Sequence, residues 1–203
     1  MNPHYEAIAD GLALHGYAVI DQFLSQQQVD AILAIEDIRT TKNLKRAGIG
    51  NNQSLQVIEN IRGDYIHWLD RATAPQPVLV YLDLLEGLIT YLNEALFLSL
   101  KDYEGHFTVY PPGAYYKRHL DQFRFDDHRK LSVICYLNTG WREGHGGQLR
   151  MYLPDQTVDV LPVAGRLICF RSDQIEHEVL PATRERLSIT GWMLDRLGEL
   201  KHL

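Results

Sequence analysis

The stretch EGHFTVYPPGAYYKRHLD, residues 104–121, decides how the rest of the chain is read. Two short β-rich runs, His106–Tyr110 and Tyr115–Leu120, flank Pro111-Pro112-Gly113, residues that make turns. The second run delivers His119 and, two positions on, Asp121. Residues i and i+2 of a strand point to one face, so an imidazole and a carboxylate can reach one metal ion from a single strand end.

Downstream of this stretch the same texture continues. Strands are predicted near Lys130–Leu137, Gln148–Tyr152, Thr157–Leu161, Arg166–Phe170, Glu178–Leu180 and Leu187–Leu194, punctuated by Gly140, Gly144, Gly146, Gly147, Pro154 and Gly165. Eight short strands at such spacing predict a sandwich or jelly roll. Upstream the chain is mostly helical. Tyr5–His15 forms a first predicted helix, followed by a strand-like Tyr17–Ile20. Ser25-Gln26-Gln27-Gln28 is a capping-box pattern that opens a second helix, with Val29, Ile32, Leu33 and Ile35 on its apolar face. A third is predicted from Pro77 to about Leu98, with Leu79, Leu82, Leu85, Ile89, Leu92 and Leu96 on one side. The expected fold class is α+β, an N-terminal helical support of about residues 1–100 beside a β core over 101–195. The chain of 203 residues reads as one domain.

A polar stretch, Thr40 to Asn60, interrupts the helices and carries Lys42, Lys45, Arg46, Gly48 and Gly50. A connection of that length in a compact domain is more often a lid or binding loop than a passive link. The formal net charge of −6 argues against nucleic acid as a partner, since such surfaces carry a basic excess. No run is long and apolar enough to span a bilayer, and the N-terminus has no apolar signal core, so a cytoplasmic protein is expected. Cys135 and Cys169 lie in apolar runs and read as buried thiols.

His119 and Asp121 need a third ligand, and His177, in the late run Ile175-Glu176-His177-Glu178-Val179, is the best candidate. Two histidines and one carboxylate on one face of an octahedron leave three positions open, the donor set of non-haem iron(II) oxygenases. Arg186 opens the last strand and offers a planar fork for a carboxylate, whereas Arg184 falls in the preceding turn and suits a surface ion pair with Glu178 or Glu185. Tyr110 and Tyr136 are each placed to donate a hydrogen bond to the same carboxylate.

The order of these blocks resembles a known family. Tyr110-Pro111-Pro112-Gly113, Arg118-His119-Leu120-Asp121, Tyr136-Leu137-Asn138, Gly146-Gly147-Gln148-Leu149-Arg150, His177-Glu178-Val179 and Arg186 to Trp192 follow one another as in the 2-oxoglutarate- and iron(II)-dependent prolyl hydroxylases. The likeness is to those acting on hypoxia-inducible factor and to their bacterial homologue, and it covers roughly residues 35–195. Arg62-Gly63-Asp64 followed by Trp68 belongs to it.

The resemblance implies a double-stranded β-helix. It implies iron(II) on His119, Asp121 and His177, and 2-oxoglutarate on Arg186 with Tyr110 and Tyr136. Dioxygen is the other co-substrate, and ascorbate a candidate reductant. It makes Thr40–Ile58 a mobile loop that closes over substrate, with Arg46, Gly48 and Trp192 as substrate-contacting candidates. The implied reaction is hydroxylation of a prolyl residue in a protein, with elongation factor Tu the leading candidate partner. A hydroxylase of a free amino acid is the alternative. A nucleic-acid demethylase of the same superfamily usually carries a second arginine where this chain has Trp192.

Overall fold

The computed structural model describes residues 2–36, 44–47, 61–122 and 126–197. Helix α1 (His4–His15) leads into strand β1 (Tyr17–Ile20) through Gly16, which takes a left-handed φ of 77° and closes the helix. Helix α2 (Gln26–Leu33) starts on the expected capping box: Gln28 N–H donates to Ser25 Oγ at 3.3 Å, and Ser25 N–H to Gln28 Oε1 at 2.8 Å. Two orphan amides of the first turn are thereby satisfied. Short strands β2 (Lys45–Arg46) and β3 (Tyr65–Trp68) precede the long helix α3 (Gln76–Leu96). Strands β4 (Asp102–Tyr110), β5 (Tyr116–His119), β6 (Arg129–Tyr136), β7 (Leu149–Tyr152), β8 (Thr157–Val160), β9 (Leu167–Arg171), β10 (Glu176–Val179) and β11 (Arg186–Leu194) complete the chain.

The strands form two antiparallel sheets. The major sheet runs β1-β9-β6-β11-β4-β3-β2 and the minor sheet β5-β10-β7-β8. Alternation along each strand sorts its residues between two cores. Leu131, Val133, Cys135, Phe107, Leu167, Cys169, Leu187, Ile189 and Met193 face the helices. Tyr110, Ile134, Tyr136, Ile168 and Phe170 pack instead against Leu149, Met151, Val160 and Val179 of the minor sheet. The second core lies between the sheets, and the functional residues share that face. Cys135 and Cys169 are buried free thiols, as expected.

The eight expected strands are present with shifted ends. Two features differ from the sequence reading. Helix α3 buries Val78, Tyr81, Leu85, Leu88 and Leu92, while Leu79, Leu82, Ile89 and Leu96 are only partly covered. The helix is apolar over most of its circumference, so periodicity alone does not select the stripe. The sheet does: Tyr81 meets Tyr103 of β4, their rings 6.3 Å apart. The other feature is β3, which lies in the segment the motif Arg62-Gly63-Asp64 introduces and joins the major sheet beside β4. Of the expected loop Thr40–Ile58, residues 44–47 are described and contain edge strand β2; Lys42, Gly48 and Gly50 lie outside the described residues. Among the described residues, no helix is long and apolar enough to cross a membrane.

Candidate metal and co-substrate site

Antiparallel pairing sets His177 of β10 directly opposite His119 of β5, which places both imidazoles on one face. Their ring centroids are 4.3 Å apart. Asp121 follows just past the end of β5 and turns its carboxylate between them: Oδ1 lies 3.4 Å from His119 Nε2, and Oδ2 lies 3.7 Å from His177 Nε2. One ligand atom from each of the three residues lies within 4.8 Å of the others.

The donor chemistry fits a divalent cation. His119 Nδ1 is 2.7 Å from the Lys117 carbonyl, and His177 Nδ1 is 3.2 Å from the Ile175 carbonyl. A carbonyl oxygen only accepts, so each ring proton sits on Nδ1 and each Nε2 turns a lone pair toward the shared point. Burial, the largest influence, pulls the His177 pKa down to about 4, which keeps the ring neutral despite the neighbouring Asp121. Burial pushes the Asp121 carboxyl upward, but His177, His119 and the Ser132 hydroxyl outweigh it and hold the group well below the usual carboxylate range. The result is two imidazole Nε2 atoms and one carboxylate around a common centre.

Aromatic contacts fix the two rings. Tyr116 stacks on His119 with centroids 3.7 Å apart and planes 20° apart, and Phe170 meets His177 edge-on at 4.7 Å. The Arg62 guanidinium lies 4.4 Å from the Tyr116 ring centroid and forks onto buried Asp64 at 2.7 and 2.5 Å. Backbone bonds from Gly63 N–H to the Tyr115 carbonyl and from Lys117 N–H to the Ile61 carbonyl tie this segment to β5. The Arg62-Gly63-Asp64 motif therefore braces the strand that carries His119.

A second constellation occupies the start of β11. Arg186 is 2% exposed and pairs across the sheet with Tyr110. Its Nε–H donates to the Gly147 carbonyl at 2.9 Å and its Nη2–H to the Tyr136 hydroxyl at 3.3 Å; its guanidinium carbon lies 5.2 Å from the Tyr110 ring centroid. Gly147 makes this approach possible. Its φ is 73°, and a Cβ there would stand 2.9 Å from Ala182 Cβ and 3.4 Å from Arg186 Cδ. Burial raises the pKa of both Tyr110 and Tyr136, so both phenols keep their protons and remain donors. Arg184 sits in the bend before β11, exposed, its guanidinium 5.1 Å from the Trp141 ring centroid.

Along β11, Arg186, Ser188, Thr190 and Trp192 alternate onto the inner face, so one strand links the two constellations. Trp192 lies opposite Ser132 in the register, with Arg129 3.4 Å over its ring and His106 edge-on at 5.7 Å. Its Nε1–H is buried without a partner among the described residues. His106 bonds Thr108 Oγ1 at 2.9 Å, and burial lowers its pKa to about 3.

His119, Asp121 and His177 are thus brought together, as are Arg186, Tyr110 and Tyr136, with Trp192 on the same inner face. Arg46 is not: it pairs with Tyr65, whose side chain packs in the helix-facing core, so the inner face is not its side of the sheet. Gly48 lies outside the described residues. Ser132, Ser172, Tyr116, Phe170 and His106 are not among the site residues the sequence singles out; Gly147 is, in the block Gly146–Arg150, but without its contact to Arg186. For Ser132 the signal is a single serine in the otherwise apolar and aromatic run Leu131–Leu137. For the others the contacts depend on strand register.

A family model described as the 2OG-Fe(II) oxygenase superfamily matches residues 105–194. The crystal structure of a Pseudomonas putida prolyl-4-hydroxylase superposes with a TM-score of 0.86 at 45% identity, over 95% of this chain and 100% of that one. The chain belongs to the prolyl hydroxylases of this superfamily. Its cofactor set is iron(II), 2-oxoglutarate and dioxygen, which the donor cluster fits. A Trichoplax adhaerens prolyl hydroxylase, solved with a hypoxia-inducible factor peptide fragment, superposes at 0.79 with 28% identity, over 95% of this chain and 89% of that one. Human Egl nine homolog 1 is 30% identical over 94% of this chain. A Caenorhabditis elegans hypoxia-inducible factor prolyl hydroxylase is 28% identical over the same share. The chain spans only 46% and 28% of the lengths of these two curated relatives.

Proposed function

We propose that this chain hydroxylates a prolyl residue in a protein, with iron(II) on His119, Asp121 and His177 and 2-oxoglutarate anchored by Arg186, Tyr136 and Tyr110. The observation that carries the reading is the convergence of the three donors within 4.8 Å, in a chain 45% identical to a prolyl-4-hydroxylase over that protein's full length. The two facing sheets read as a double-stranded β-helix, residues 101–195 as its core and 1–203 as a single catalytic domain in the cytoplasm.

When bound, iron(II) would activate dioxygen, the oxidant, coupling decarboxylation of 2-oxoglutarate to succinate and carbon dioxide with insertion of the other oxygen atom into a substrate C–H bond. The chain's own residues bind, orient and exclude water. The Arg186 fork would hold the distal carboxylate of the 2-oxo acid through charge-assisted bonds, and Tyr136 and Tyr110 would donate to the same group. Held at that end, the acid would occupy the inner face of β11, which Arg186 shares with Ser188, Thr190 and Trp192. Ile134, Phe170, Met151 and Val179 belong to the apolar core between the sheets on this same side, and such surroundings would strengthen these bonds and disfavour water. Trp192 is the residue of this inner face proposed to contact substrate, and His106 packs edge-on against it at 5.7 Å.

Elongation factor Tu is the first substrate to try, on the resemblance to bacterial prolyl hydroxylases. The test is tandem mass spectrometry after incubation with the chain, iron(II) and 2-oxoglutarate, beside a hypoxia-inducible factor peptide and free proline. One added oxygen on a single proline of elongation factor Tu is expected. Oxygen added only to the free amino acid would replace the protein substrate with a small molecule.

A further inference from the structure

We infer that Ser132, backed by Ser172, is a positioning residue that fixes the rotation of the Asp121 carboxylate and commits one of its oxygens before metal arrives. The inference rests on the reading of His119, Asp121 and His177 as metal ligands.

Ser132 Oγ lies 2.6 Å from Asp121 Oδ2 and 2.9 Å from Ser172 Oγ. Both serines are fully buried. The direction of this short chain is forced. A carboxylate only accepts, so the single Ser132 proton is committed to Asp121. Ser132 then has only lone pairs to offer Ser172, and Ser172 must be the donor in that contact. Each hydroxyl polarises the next, which strengthens the bond that reaches the carboxylate.

Backbone bonds hold the far end of the chain in place. Ser172 N–H donates to the Lys130 carbonyl at 3.1 Å, and Gln122 N–H donates to the Ser172 carbonyl at 3.2 Å. The residue after Asp121, the start of β6 and the end of β9 are thus joined around one hydroxyl pair.

The consequence is a carboxylate that cannot turn freely. Oδ2 is engaged by Ser132, and Oδ1 remains on the His119 side, 3.4 Å from its Nε2. A metal entering between the imidazoles finds one carboxylate oxygen free and correctly aimed. The second oxygen is kept from occupying a position that the co-substrates need. Outer groups that orient metal ligands in this way commonly govern affinity by about 10- to 100-fold.

The test is cobalt(II) binding to the chelator-stripped chain, followed by the visible absorption of the bound ion. It compares wild type with Ser132→Ala, Ser132→Thr, Ser172→Ala and the double alanine variant. Ser132→Ala should weaken cobalt(II) binding by about tenfold or more, and Ser132→Thr, which keeps the hydroxyl, should recover most of the loss. Ser172→Ala should weaken binding by a smaller factor, and should cost nothing further in the Ser132→Ala background, because Ser172 acts only through Ser132. If Ser132→Ala does not fold, the Ser172→Ala comparison decides alone. Wild-type binding with unchanged affinity in the folded alanine variants would overturn the positioning role. So would losses that simply multiply in the double variant. A wild-type chain that takes up no cobalt(II) would overturn the metal reading itself, a separate result.

Discussion

Asp121→Ala is expected to abolish iron-dependent consumption of 2-oxoglutarate, with a loss of at least about 100-fold. That floor follows from magnitude: an outer-sphere partner of a metal ligand already controls about 10- to 100-fold in affinity or activity, and Asp121 is the only carboxylate of the donor cluster among the described residues. The substitution leaves only the two imidazoles and strips Ser132 of its acceptor. Asp121→Glu should fail nearly as badly. One added methylene moves the carboxylate by about 1.5 Å, whereas such sites tolerate about 0.5 Å, and the oxygen now 2.6 Å from Ser132 would lose that partner. Succinate release at saturating iron(II) reads both variants. More than a tenth of wild-type turnover in Asp121→Ala would remove Asp121 from the ligand set.

The second large effect is expected at Arg186. Arg186→Ala should raise the KM for 2-oxoglutarate by about 10- to 100-fold, the factor that corresponds to the roughly 1.5–3 kcal/mol of a hydrogen bond to a charged group. Arg186→Lys keeps the charge but loses the fork, so its KM should fall between alanine and wild type. Arg184→Ala should leave the KM unchanged, since Arg184 is exposed against Trp141 and outside the inner face. Stability should fall too in Arg186→Ala, by about 1–3 kcal/mol, because the buried Gly147 carbonyl and Tyr136 hydroxyl lose their partner. Urea denaturation of the metal-free chain measures that part separately. An effect on KM at Arg184 and none at Arg186 would reverse the assignment.

How much of this was legible in the sequence depends on the range of each interaction. The His119–Asp121 pair is local, and the i, i+2 rule places it without any fold. The capping box at Ser25 is local as well, and α2 begins there. Arg186 and Tyr110 were read separately, and their meeting is a matter of strand pairing: β11 lies beside β4 in a register that sets them face to face. The same holds for His119 opposite His177, 58 residues apart in number and adjacent in the minor sheet. Strand register between distant segments leaves no mark in a single sequence. For that reason the roles of Ser172 and Phe170, and the contact of Gly147 with Arg186, are not legible there, although each touches a functional side chain. Helix α3 shows the opposite problem, too many apolar positions for periodicity to choose among. Arg46 shows a third: a cation in a polar stretch suggests a ligand, but the face its strand presents is fixed by pairing with Tyr65.

The central claim is that one donor cluster couples the fate of 2-oxoglutarate to hydroxylation of a prolyl residue. The measurement that tests it most directly is mass spectrometry of both products after turnover under heavy-oxygen dioxygen, with iron(II), 2-oxoglutarate and elongation factor Tu. One heavy atom in the hydroxylated proline and one in succinate, both absent with Asp121→Ala, is the predicted result. Heavy succinate with an unlabelled, unmodified protein, or a hydroxylated proline formed without 2-oxoglutarate, would contradict it.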